Sequence, residues 1–182
     1  QFVRIELDGK DRILHVAEVQ AFVGEENVAV NGKARQSTTG YGGLAKLAID
    51  GNTDGDFHKS KSVTHNANGD AEAWWEVDLG KEQNLTKLGI WNRTDSGLHS
   101  RLDGFRLQVL SGDRQVVWEK TFSQAPKREV VVPLDGAEVG QFVKASASYE
   151  QKKFEAFNAI DGNIKKDSGW AIAGGQGRDH DG

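Results

Sequence analysis

No cysteine occurs anywhere in the 182 residues. That absence removes disulfides, thiolate zinc sites and cysteine nucleophiles together. It leaves the redox compartment open, since a cysteine-free chain is at home inside or outside a cell. Methionine is also missing, even at the first position, which leads to the expectation of a piece of a longer protein. No apolar run approaches the length needed to cross a bilayer, so membrane insertion is not expected. The chain opens on "QFVRIEL", which reads as a strand rather than a signal peptide. A net charge of −4, with no basic cluster interleaved with aromatics, argues against a nucleic-acid surface. Catalytic signatures are missing too: there is no Ser-in-Gly nucleophile elbow, no phosphate-binding loop, no GxGxxG after a strand and no HExxH. Carboxylates are plentiful, but nothing in the sequence sets two of them at the separation glycoside hydrolysis requires. The chain is not expected to be an enzyme.

Long helical patterns are equally scarce, and "GGLAKLAID" supports at most a short helix. What is present is a series of short segments rich in Val, Ile, Phe and Trp: "FVRIEL", "ILHVAEVQAF", "AWWEVDL", "TKLGIWNR", "FRLQVL", "QVVWEKTF" and "REVVVPL". Several alternate with period two and all are separated by turn residues, as strands are. "LSGDRQ" reads as a hairpin connection with Gly at the turn. With twenty-two glycines, the pattern indicates an all-β chain, an antiparallel sandwich or barrel. Neighbouring strand residues face opposite sides, so one of Trp74 and Trp75 belongs to the core and the other to the loops or the surface.

The chain also repeats itself. "KARQSTTGYGGLAKLAIDGN" from Lys33 aligns without a gap on "KASASYEQKKFEAFNAIDGN" from Lys144, and "QFV" at 1–3 recurs at 141–143. Tandem units are therefore expected: a complete one over residues 1–143, and the truncated start of a second over 144–182. "RDHDG" at 178–182 carries metal-ligand letters but reads as a solvated tail. "NLT" at 84 and "NRT" at 92 are formal glycosylation sequons, of a length that often matches by coincidence.

One loop invites a metal reading. "DGNTDGDFHKSKSVTH" (50–65) places Asp50, Asn52 and Asp54 at alternate positions with Gly55 at the turn, as in a helix-loop-helix calcium loop. The twelfth position of that code needs a bidentate Glu, and here it is Lys61. The flanks carry no 3.6-residue apolar period, so the loop is not an EF-hand. It holds a metal in another way or is an Asx-rich turn, which Asp, Asn and Gly form unaided.

Taken in order, "NVAVNGKARQST…AIDGN…SVTH…WWEVDLG…IWNRTD…RLDGFRLQV", covering roughly residues 27–122, resembles the fucolectin, or F-type lectin, branch of the discoidin-like (coagulation factor 5/8 type C) domains. The resemblance implies an eight-stranded antiparallel jelly-roll β-sandwich with a structural calcium and a shallow sugar site made by loops. It also implies an extracellular or cell-envelope setting, as in large bacterial surface proteins, with other domains of a longer parent chain as partners. Such domains usually finish with a strand pair like "LHVAEVQAF". Here that pair comes first, so a permuted order is expected: residues 1–24 supply closing strands to the main unit at 27–140.

The residue roles follow by carry-over from the family. Calcium would be held by Asp50 through its carboxylate, by Asn52 and Leu47 through backbone carbonyls, and by Ser62 through a hydroxyl or carbonyl. Glu18 would reach the metal beside Asp50. This is an all-oxygen set suited to a hard cation, with Lys59 and Lys61 tolerable if both point outward. The second copy keeps Asp161 and Asn163 but not the loop that should follow, so no metal is expected there. The sugar site would take His65 and Arg93 as donors, with Asp95 holding the arginine. The family's next basic residue falls at Ser100; the nearest here is Arg101, one step late, or His99 could substitute. Either Phe57 or Trp74 would offer an apolar face, and the family's adjacent cysteine pair is missing. The expected function is a non-catalytic, calcium-stabilised module binding a fucose-like glycan. The alternative is an interaction or interdomain module with no sugar binding, in which Arg93 and Asp95 form only a surface pair.

Overall fold

The computed structural model describes residues 1–134; the second unit at 144–182, with Asp161, Asn163 and "RDHDG", lies outside the described residues. Among the described residues nine strands form two antiparallel sheets: β1 (Phe2–Leu7), β2 (Val16–Val23), β3 (Glu26–Asn27), β4 (Lys33–Gln36), β5 (Ala73–Asp78), β6 (Lys87–Asn92), β7 (Phe105–Leu110), β8 (Val116–Phe122) and β9 (Glu129–Pro133). One sheet has the order β4-β5-β1-β7-β8 and the other β3-β2-β6-β9. The seven strand-like segments of the sequence are all strands. The two extra ones, β3 and β4, are short and carry no apolar alternation, so periodicity could not announce them.

β1 is the middle strand of the five-stranded sheet, paired with β5 on one side and β7 on the other. Its Val3, Ile5 and Leu7 point into the core beside Trp75, Val77, Phe105, Leu107 and Val109. The facing sheet contributes Val19, Ala21, Leu88 and Ile90. Each fully buried Leu, Ile or Phe in this layer contributes about 1.5–3 kcal/mol through removal from water. Residues 2–7 and 16–23 are therefore part of the same sandwich as the strands that follow.

Of the tryptophan pair, Trp75 is the core residue, fully buried, with its indole N–H donating to the Ala45 carbonyl (2.9 Å). Trp74 points to the outer face of its sheet, where the Arg4 guanidinium lies 4.4 Å above its ring. Asn92 of the "NRT" sequon is fully buried, and its amide donates to the His99 and Pro126 carbonyls (both 2.9 Å). It is a structural side chain and not a glycan acceptor. Among the described residues no helix is long and apolar enough to cross a membrane.

Candidate functional site

The loops at one end of the sandwich converge on two adjoining sites. The first is built around residues 47–62. A 3-10 helix, Ala45–Ile49, anchored by the Trp75 indole, delivers the chain to Asp50. From there the backbone runs as consecutive Asx turns: Asp50 accepts from the Asn52 N–H (2.9 Å), Asn52 from Asp54 (3.0 Å) and Asp54 from Asp56 (3.1 Å). Asp56 then caps the single-turn helix α1 (Phe57–Ser60), accepting from the His58 and Lys59 N–H groups (3.1 and 3.0 Å). The flanking pieces are one 3-10 turn and one helical turn, not the two helices of an EF-hand.

Beneath this loop lies Glu18. A register irregularity in β2 between Val16 and Glu18 turns its side chain toward the loop while Val19 stays in the core. Glu18 is fully buried; one carboxylate oxygen accepts from the Gly51 N–H (3.1 Å), and the other has no partner. Burial, together with the nearby Asp50 carboxylate, pushes its pKa up to about 7. Ser62, itself buried, donates its hydroxyl to the other oxygen of Asp50. Two carboxylates face each other with no cationic side chain paired to either among the described residues. Lys59 and Lys61 are both exposed. An orphaned buried carboxylate oxygen beside a second carboxylate and a hydroxyl fits a hard, oxygen-preferring cation. Among the described residues there is no group of three or more His, Cys, Asp or Glu that could hold a metal, so a cation here would need hydroxyl or backbone oxygens beside Glu18 and Asp50.

The second site is a depression of about 280 Å³ lined by Tyr41, Phe57, His65, Arg93, Leu98 and Arg101 among others. Its centre is Arg93, only 5% exposed. The guanidinium binds Asp95 through a two-point fork, Nε to Oδ1 and Nη2 to Oδ2, both 2.7 Å. This pairing holds the Asp95 carboxyl well below the usual carboxylate range. Asp95 also accepts from the Phe57 N–H (2.9 Å), and the Arg93 guanidinium lies 4.5 Å from the centre of the Phe57 ring. Two of the five guanidinium N–H donors are occupied by Asp95, which leaves three without a side-chain acceptor among the described residues. The loop can approach this closely because residue 55 is glycine: a Cβ there would collide with the Asn92 carbonyl oxygen, and the Gly55 carbonyl accepts from the Thr94 N–H (2.9 Å).

His65 stands opposite, 4% exposed, with its ring 4.8 Å from Tyr41 and 5.7 Å from Phe57. Burial, with Arg93 and Arg101 nearby, lowers its pKa, so the ring is neutral at pH 7. Its Nδ1 lies 2.6 Å from the Asn66 carbonyl oxygen and must carry the proton. Nε2 is left as an acceptor, which differs from the donor role expected from sequence. Neither His65 nor Arg93 is exposed, and Arg93 and Asp95 form a largely buried pair rather than a surface one.

Arg101 reaches the depression through the backbone of residues 95–102. This 3-10 segment is broken by Ser96 and Gly97, both at positive φ (56° and 70°), and is pinned by the Asn92 amide on the His99 carbonyl. In this arrangement Arg101, and not Ser100, lines the depression with Arg93. His99 is outside the lining and supplies its carbonyl instead. Trp74 belongs to the far sheet face, which leaves Phe57 as the aromatic neighbour.

A family model of the F5/F8 type C group, described as a NedA-like, galactose-binding domain, matches residues 47–145, more than half of the chain. The chain belongs to this family. Within it, this discoidin-like, F-type lectin domain is 44% identical over 91 residues to Fucolectin-1 of Anguilla japonica, covering 47% of this chain and 49% of that one. It is 45% identical over 90 residues to the Fucolectin of Anguilla anguilla, covering 47% and 55%. The chain thus matches about half the length of these curated relatives. Among solved structures, a Streptococcus pneumoniae fucose binding module, SpX-3, is 34% identical with a TM-score of 0.56 over 61% of this chain and 79% of that one. The lectin domain of Lectinolysin, complexed with Lewis B antigen, is 40% identical with a TM-score of 0.55 over 61% and 78%.

The discoidin-like domain also uses residues that sequence reasoning did not single out. Tyr41 and Asn68 form the rim, joined by an Asn68 amide to Tyr41 hydroxyl bond (2.9 Å). Asp70 ties the rim together, accepting from the hydroxyls of Ser37 and Thr38 (2.7 Å for the latter) and from the Asn66 amide (3.0 Å). Asn66 in turn receives the Leu14 N–H (2.6 Å) and presents the carbonyl that fixes His65. These are short polar side chains from loops far apart in sequence, and no spacing links them beforehand.

Proposed function

We propose that the domain is a non-catalytic carbohydrate-binding module for a terminal fucose-like deoxysugar. The observation that carries this reading is the convergence, in one depression of about 280 Å³, of Arg93, Arg101 and His65 beside the Phe57 and Tyr41 rings. The volume suits one sugar ring. The free N–H groups of Arg93 and Arg101 donate to ring and hydroxyl oxygens, and His65 Nε2 accepts from a hydroxyl. Asp95 is a positioning residue that keeps the guanidinium plane fixed, and Phe57 covers the less polar side of the sugar. The depression is shallow and buries little area, so single-site binding is weak and tandem copies in a longer parent chain would supply avidity. The same reading places the domain in an extracellular or cell-envelope setting.

Calcium is the structural cofactor of this proposal. Glu18, Asp50, Ser62 and the backbone of Leu47 and Asn52 would hold it, and its charge would offset the Glu18–Asp50 repulsion and stiffen the loop leading to Phe57. A glycan array probed with the full chain, with calcium and with chelator, tests both claims. Signals confined to fucosylated glycans and weakened by chelator are expected. Loss of all glycan signal with calcium present would put the interdomain-module reading ahead.

A further inference from the structure

The depression around Arg93 continues past Arg101. A second hollow of about 220 Å³ adjoins it; the two share Ile13 and Arg101, and the remaining walls are Asp11, Arg12 and Ser100. The hollow is held in shape by Arg12. Its Nη1 donates to the Asp8 carbonyl (3.2 Å), and its Nη2 donates to the carbonyls of Arg101 (3.4 Å) and Asp103 (2.5 Å). These bonds tie the β1–β2 connection to the 95–102 segment, so the two walls are fixed relative to each other before a ligand arrives.

Carbonyls satisfy the donors of Arg12 without cancelling its charge. Among the described residues neither Arg12 nor Arg101 has a carboxylate within ion-pairing distance. The one acid in the wall is Asp11, exposed at the mouth with φ 58°. The charge of Arg93 is taken up by Asp95, but that of Arg101 is not. Burial first, with Arg93 and Arg101 nearby, lowers the pKa of both His15 and His65. The hollow therefore presents two guanidinium groups and the Ser100 hydroxyl against a single carboxylate.

We propose that this second hollow is a subsite for an oxyanion substituent, a sulfate ester or a carboxylate, on the sugar next to the deoxysugar held by Arg93. The proposal rests on the carbohydrate-binding reading above. Guanidinium forks match oxyanions with paired charge-assisted bonds, and Arg101 stands where it reaches both sugars. A neutral second sugar would leave the charge of Arg101 unanswered.

The test uses the full chain and four probes: methyl α-L-fucoside, a neutral fucosyl-galactose disaccharide, the same disaccharide sulfated on galactose, and its galacturonate counterpart. The anionic disaccharides are expected to bind about tenfold tighter than the neutral one at low salt, and the advantage should shrink several-fold as ionic strength approaches about 0.5 M. Ser100→Glu should erase the advantage. Asp11→Asn, which keeps a residue tolerant of left-handed backbone, should enlarge it. Both variants should leave binding of methyl α-L-fucoside unchanged, which also shows that they fold. Gains for both anions support recognition of charge, and a gain for one alone names the source. Equal affinity for neutral and anionic disaccharides, with methyl α-L-fucoside still bound, overturns the subsite and spares the deoxysugar site. No binding of any probe overturns both.

Discussion

Replacing Arg93 by lysine separates geometry from charge at the centre of the site. Arg93 and Asp95 have side chains 6% and 10% exposed and are joined by two bonds of 2.7 Å. Lysine keeps a cation beside Asp95, so the cost of an unpaired buried carboxylate, about 3–5 kcal/mol, is avoided. What disappears is one arm of the fork, the planar contact with Phe57, and the donors that spread into the depression. A hydrogen bond to a charged group contributes about 1.5–3 kcal/mol. Loss of one such bond to the sugar lowers affinity by roughly 10- to 100-fold, and loss of one to Asp95 lowers folding stability by about 1–3 kcal/mol. The buried fork thus makes Arg93→Lys a stability variant as well as a binding variant. Titration calorimetry with methyl α-L-fucoside reads the first effect, and urea unfolding reads the second. Affinity within twofold of wild type in a folded Arg93→Lys variant would refute the role given to the fork.

Three further outcomes follow from the titratable groups. In metal-free protein, Glu18 carries a pKa raised from 4.5 to about 7, so folding stability falls as pH rises across that window. Calcium should reverse the fall, and Glu18→Gln should abolish both the fall and the calcium-dependent rise in Tm. His15 is fully buried with neither ring nitrogen partnered, and burial, with Arg93 adding to it, lowers its pKa to about 3. The unfolded chain takes up that proton first, so stability is lost as pH drops below about 6.5; His15→Leu should stabilise the fold by about 1–3 kcal/mol at pH 7 and flatten this acid limb in urea titrations. The acceptor role proposed for His65 needs the neutral ring, and burial lowers its pKa. The acid decline in sugar affinity should therefore fall below the pH of about 6.5 at which an ordinary imidazole titrates, and affinity should be lost in His65→Phe at every pH.

The sandwich was legible because its core strands carry their own signal. "FVRIEL" and "FRLQVL" alternate so cleanly that their ends coincide with β1 and β7. "ILHVAEVQAF" begins three residues before β2, because Leu14 and Val16 bond to loop residues 66 and 64 before the ladder with β6 settles. The site was legible only through the ordered motifs shared with the family. Spacing alone could not say whether residue 100 or 101 lines the depression, since the segment between is kinked by two positive φ angles at Ser96 and Gly97. Nor could it find Tyr41, whose place depends on Gly43 letting the chain run against His65; a Cβ at that glycine would strike the His65 backbone nitrogen.

The most direct measurement of the central claim is a chemical-shift titration of the calcium-loaded chain with methyl α-L-fucoside, following the Arg93 Nε–H, the His65 imidazole and the two indoles of Trp74 and Trp75. The account predicts saturable shifts at Arg93 and His65 with the Trp74 indole unmoved on the far sheet face. Shifts centred on Trp74, or none at Arg93 and His65 at saturating sugar, would contradict it.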